Sequence, residues 1–201
     1  KLSESLMISA KTLKTWALVL VYFTTFGGFL ALTSWLPTYF TSFFKLNLKM
    51  AGLLTAVYSI ATSLIRIYGG KISDKRGGEY TSAAALIVML IGAVCMTITS
   101  SLPIAVLGIL LLAAGMGVTN AAVFKILPKA VPHAVGGASG WVGGLGAFGG
   151  FVIPPFMASF IDKTGRSLSG YQKGFLIFVV LSVISFLIVN FLRINSVKKE
   201  R

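Results

Sequence analysis

Six apolar stretches separated by short polar segments set the pattern of this chain. They run from Trp16 to Leu36, Met50 to Gly70, Thr81 to Ser100, Pro103 to Ile126, Gly137 to Ile161 and Gly174 to Leu192. Each is close to the roughly 20 residues that a helix needs to cross about 30 Å of hydrocarbon. Lipid offers no partner to free backbone N–H and C=O groups, and a barrel would appear as shorter alternating segments, so the stretches predict transmembrane helices. The expected fold class is an all-α membrane protein with six transmembrane helices embedded in a lipid bilayer.

Finer periodicity inside the spans distinguishes their faces. On the second, Thr55, Ser59, Thr62, Arg66 and Gly69 recur at spacings of four and three, a polar stripe that belongs against protein or a water-filled cavity. Arg66 is the one charge set well inside an apolar stretch, and an intramembrane arginine is costly enough to mark function. Its nearer membrane surface lies toward the C-terminal end of the helix, whereas helical side chains lean toward the N-terminus. The guanidinium should therefore reach toward the membrane centre rather than snorkel. On the first span Tyr22, Phe26, Phe29 and Thr33 share a face beside Thr25, Gly27 and Gly28, as packing residues or ligand contacts. Gly115, Gly117, Thr119 and Asn120 give the fourth span a weaker polar patch suited to bonding between helices.

Charge changes the picture in two ways. The net charge is +13, yet the lysines and arginines are scattered among loops without an aromatic-basic patch, so no nucleic-acid partner is expected. With the first residues taken as cytoplasmic, Lys1, Lys11, Lys14, Lys71, Lys75, Arg76, Lys125, Lys129, Arg193, Lys198, Lys199 and Arg201 lie inside, against Lys45, Lys49, Lys163, Arg166 and Lys173 outside. That bias puts both termini in the cytoplasm of a multi-pass plasma (inner) membrane protein. The acids Glu4, Asp74, Glu79, Asp162 and Glu200 all fall in loops or at span ends, so Arg66 must find its anion elsewhere. A guanidinium suits planar oxyanions through paired N–H donors. No nucleophile with its base, and no metal-ligand cluster, is available in the spans, which excludes an enzyme and gives no reason to expect a cofactor or metal. Cys95 reads as a small packing residue, and His133 as a solvated one.

Eight glycines fall between Gly136 and Gly150. Gly144, Gly146 and Gly149 satisfy a GxGxxG pattern, but no strand precedes them, so the nucleotide reading fails. Gly136, Gly140 and Gly144 recur every four residues, as do Gly146 and Gly150, which permits close helix packing, alone or together with substrate contact. Residues 1–15 read as a cytoplasmic linker, or an amphipathic helix on the inner membrane face; 16–193 form the bundle, and 194–201 a basic cytoplasmic tail.

Between the second and third spans, GGKISDKRGG forms a short basic connection in which Gly70, Asp74, Arg76 and Gly77 serve turn, cap and topology. This loop resembles the one between spans of major facilitator transporters. Arg66 ahead of it, VYFTTFGGF at Val21 to Phe29, NAAVFKILPK at Asn120 to Lys129 and the AVGGASGWVGGLGAFGGFVIPP run resemble the nitrate/nitrite porter branch of that superfamily. The resemblance implies the C-terminal six-span half of the fold, built from two inverted three-helix repeats, with an N-terminal six-helix half as its partner. It further implies that Arg66 binds nitrate or nitrite, that Tyr22 and Phe26 line the site, and that Gly140 and Gly143 lie beside the anion. Gly136, Gly144, Gly146, Gly149 and Gly150 would serve helix packing and gating. The arginine and glycine-rich helix that the family also uses from its first half are not in this sequence. A facilitator for an organic anion and a non-transporting scaffold subunit are the competing readings.

Overall fold

The computed structural model describes residues 2–163 and 168–199. Lys1, Arg166, Glu200 and Arg201 lie outside the described residues, as do the side chains of Lys198 and Lys199, so their place in the charge count has no structural counterpart. Among the described residues all regular structure is helical, and six segments are long and apolar enough to cross a membrane. These are Leu13–Phe43, Leu48–Arg76, Gly78–Ile98, Leu102–Ala130, Pro132–Lys163 and Ser169–Ile194.

The helices exceed the apolar stretches because their ends extend into polar surroundings. Helix α4 (Leu48–Arg76) starts at Asn47, whose side chain accepts from the Met50 N–H at 2.8 Å, and so caps one of the free first-turn donors. It continues through most of the segment expected to be a loop, because nothing in Lys71 to Arg76 forbids a helix and Lys75 and Arg76 suit its C-terminal turn. The connection to α5 (Gly78–Ile98) is reduced to Gly77, whose φ of +86° is open to glycine at little cost. Helix α6 is Leu102–Ala130, and Ser101 and Pro103 open it.

Three spans are interrupted. The first comprises α2 (Leu13–Tyr22), a π-helical turn at Phe23–Gly27 and α3 (Gly28–Phe43). Thr24 and Thr25 donate to the Leu20 and Val21 carbonyls in this wider turn. The fifth comprises α7 (Val135–Ala147), preceded by one 3₁₀ turn at Pro132–Ala134, and α8 (Gly149–Lys163), with the break at Phe148. In the sixth, a short α9 (Leu168–Gly174) leads into α10 (Leu176–Lys199). Ahead of the first span α1 (Leu2–Ala10) is a separate helix lying on α7.

The core forms where α6 packs between α4 and α5, with α10 closing on α5 and α6 also meeting the first span. Small residues set the spacing between α5 and α6: a Cβ on Gly115 would meet the Ala85 carbonyl at 2.7 Å. Tyr39, Phe43, Phe44 and Phe175 form a ring cluster where α3 ends, with Tyr39 edge-on to Phe175 at 5.1 Å. Buried Ser185 donates to Thr24 across the first and sixth spans at 2.9 Å. The second and fifth spans are covered differently: 22% of the apolar window of each is buried, against 50–56% for the first, third and fourth. These two helices present their flanks outward.

Candidate functional site

The polar stripe of α4 turns inward. Thr55, Thr62 and Gly69 are buried, and Ser59 and Arg66 are half-buried. Thr55 and Thr62 donate back to the Ala51 and Tyr58 carbonyls, the local bond that lets a hydroxyl sit in an apolar environment. Ser59 pairs with Thr33 of α3 at 3.3 Å, joining the second span to the first.

Arg66 stands with its guanidinium 5.7 Å from the centroid of the Phe26 ring. Such a cation–π contact is worth about 0.5–2 kcal/mol, increasing as water is removed. Phe26 occupies the π turn near the middle of the 31-residue first span, so the guanidinium stands level with the middle of that span. Among the described residues no carboxylate pairs with it; an ion pair near the C-terminal end of α4 joins Asp74 to Lys125 of α6, at 2.6 Å.

A column of rings holds this corner in place. Tyr22 stacks on Phe26 at 5.0 Å, Phe26 on Phe29 at 6.1 Å, and Phe29 meets Tyr58 at 6.0 Å. Phe124 of α6 closes the near end, edge-on to Tyr22 at 5.2 Å. Tyr58 is buried, and its hydroxyl donates to the Met116 sulfur at 3.2 Å. Helical spacing in the sequence groups Tyr22, Phe26 and Phe29 but neither Phe124 nor Tyr58; Phe124 lies in the NAAVFKILPK segment that carries the family resemblance, and Tyr58 has only its aromatic character to mark it.

The π turn explains how the corner is shaped. It adds a residue to one helical turn, which rotates Phe26 relative to Tyr22 and brings Gly27 against α8. A Cβ on Gly27 would meet the Gly149 Cα at 2.6 Å, and one on Gly149 would meet the Phe23 carbonyl at 2.6 Å. The first and fifth spans thus cross backbone to backbone beside the ring column, at the break between α7 and α8.

The eight glycines of the fifth span separate into two groups. Gly137, Gly146, Gly149 and Gly150 face neighbours within the bundle: α1, Tyr22, Phe23 and Leu30 respectively. Gly136, Gly143 and Gly144 have nothing within 4 Å of a built Cβ among the described residues, and Gly140 has the Leu6 side chain at 3.5 Å. Gly136 and Gly144, expected to serve helix packing and gating, therefore meet no other helix among the described residues. Gly140 and Gly143 share that open face; the structure brings Gly146, rather than either of them, onto Tyr22. In the loop set, Gly70 is likewise open, Gly77 makes the turn, Arg76 is exposed and Asp74 is the ion-pair member.

Chemically the corner offers one fixed cation with aromatic walls, and it holds no group suited to covalent catalysis. Among the described residues no cluster of three metal-ligating side chains occurs. A family model described as Major Facilitator Superfamily matches residues 18–201. The chain is 33% identical to the probable nitrate/nitrite antiporter NarK1 of Thermus thermophilus over 93% of its length, and 32% identical to the nitrite extrusion protein of Bacillus subtilis over 87%. It is 28% identical to the probable nitrate transporter NarT of Staphylococcus epidermidis over 96%. It spans 43–48% of these relatives, less than half of each. In three dimensions it resembles a bacterial homolog of the human lysosomal transporter Spinster, at 16% identity and a TM-score of 0.69, covering 92% of this chain and 50% of that one. It also resembles the human organic anion transporter MFSD10 (TETRAN), at 21% identity and a TM-score of 0.69, covering 88% of this chain and 40% of that one.

Proposed function

The chain belongs to the Major Facilitator Superfamily, and from that premise we propose that it is the C-terminal half of a secondary transporter that carries nitrate or nitrite by alternating access. Arg66 carries the proposal. It is a half-buried cation level with the middle of the first span, seated on Phe26 beside Tyr22, without a carboxylate partner among the described residues. A planar monoanion fits the fork of a guanidinium, and the ring column limits water around it. The names of the relatives favour nitrate or nitrite over a larger organic anion.

The second half of the site comes from an N-terminal six-helix partner, placed against the lightly buried second and fifth spans. The open glycines Gly136, Gly140, Gly143 and Gly144 then face that partner, where absent side chains allow close approach and sliding. Anion binding offsets the repulsion between Arg66 and a cation from the other half, which favours the closed state and couples occupancy to rocking. Residues 1–15 join the halves on the cytoplasmic side of the plasma (inner) membrane, and both termini of this half are cytoplasmic. The test is uptake of nitrate and nitrite into liposomes bearing the two halves together, with Arg66→Lys as the comparison. Saturable uptake lost in the variant supports the reading. Uptake of organic anions that nitrate does not inhibit would replace the substrate, and an assembled pair without flux would favour a scaffold.

A further inference from the structure

The helix ahead of the first span is tied into the bundle by a set of contacts that its sequence does not announce. Helix α1 has nine residues, too few to be stable alone in water. Its partners come from elsewhere. The Gly137 N–H, in the first turn of α7, donates to the Ser5 hydroxyl at 3.0 Å. This supplies from 132 residues away the cap that Ala134, at the start of α7, lacks. The Trp141 indole donates to the Leu6 carbonyl at 3.0 Å, and the Trp16 indole to the Ala10 carbonyl at 2.7 Å. The two indoles lie 5.7 Å apart, so α1, α2 and α7 meet at one joint. A Cβ on Gly137 would collide with the Ser5 carbonyl, and buried Ser9 donates to that same carbonyl at 2.7 Å.

The other end of α7 bears on the aromatic corner. Nine residues beyond Gly137, about 14 Å along the helix, a Cβ on Gly146 would meet the Tyr22 ring at 2.6 Å. We propose that α1 is a strap that seats α7, so that Ser5, Leu6 and Gly137 are positioning residues for the Tyr22 and Phe26 face of the site. They touch no substrate; they act by fixing where α7 presses on Tyr22.

The experiment uses the full-length protein with Cys95→Ala and Ser9→Cys, and reads maleimide labelling together with hydrogen exchange. Ser9→Cys is protected when α1 is docked. Adding Gly137→Leu drives α1 off; labelling rises about tenfold and exchange increases through 20–28, the turn that carries Phe26, as well as in α1. Met7→Ala, on the exposed side of α1, changes neither. Ser5→Ala with Trp141→Phe removes two of the hydrogen bonds without a clash, and gives the same direction if Gly137→Leu does not fold. Rapid labelling of Ser9→Cys in the otherwise unchanged protein would overturn the strap. Release of α1 with exchange in 20–28 unchanged would overturn the positioning role. A transport arm rests on the anion reading: the strap variants weaken apparent nitrate affinity several-fold. Absent nitrate uptake in every variant would count against that reading, while labelling and exchange still decide the strap.

Discussion

At the scale of single residues the account turns on Arg66 and the ring beneath it. An ammonium at this position keeps the charge and loses the planar pair of donors, so Arg66→Lys should leave the protein folded and bring nitrate uptake below about a tenth of the unsubstituted rate. Phe26→Leu keeps the volume apolar and removes the cation–π contact of about 0.5–2 kcal/mol, so anion affinity should fall between a few-fold and about thirtyfold in a binding titration. The polar stripe that carries Arg66 was legible in the sequence because it recurs at helical spacing, whereas its seat near Phe26 depends on how the first and second spans adjoin. The ring contacts of Phe124 and Tyr58 were not legible, although Phe124 lies in the NAAVFKILPK segment. Their roles come from which helices adjoin, and aromatic residues are common throughout these spans.

At the scale of elements, two devices matter that hydropathy does not report. The π turn at Phe23–Gly27 and the break at Phe148 place Gly27 against Gly149, where no Cβ can be accommodated. Gly149→Val should cost about 1–3 kcal/mol through overpacking, visible as a lower melting temperature of the purified protein. The turn at Gly77 is a second case: with φ at +86°, Gly77→Ala should destabilise by about 1 kcal/mol. By contrast the pair of Asp74 and Lys125 is about half exposed on both sides, and Lys125→Gln should change stability by less than about 1 kcal/mol. The six spans were readable because lipid enforces helix length. Their ends were less so, since outside the membrane the helix of α4 runs on into water until Gly77 stops it, and α1 is helical because Trp141, Trp16 and Gly137 give it partners.

At the scale of the whole molecule the division of the glycines is the observation that most supports the proposed contact with an N-terminal half. Four face helices of the bundle and four lie on a face with little or no cover, on one of the two least buried spans. Gly144→Leu should therefore leave the melting temperature of the bundle nearly unchanged while reducing assembly with the N-terminal half, read as co-purification of the two. Equal losses in both would assign Gly144 to packing inside this half. The measurement that bears most directly on the account is saturable nitrate uptake into liposomes containing both halves, wild type against Arg66→Lys. The account predicts uptake that nitrite inhibits and that the substitution abolishes without loss of assembly; full uptake by the Arg66→Lys protein would contradict it.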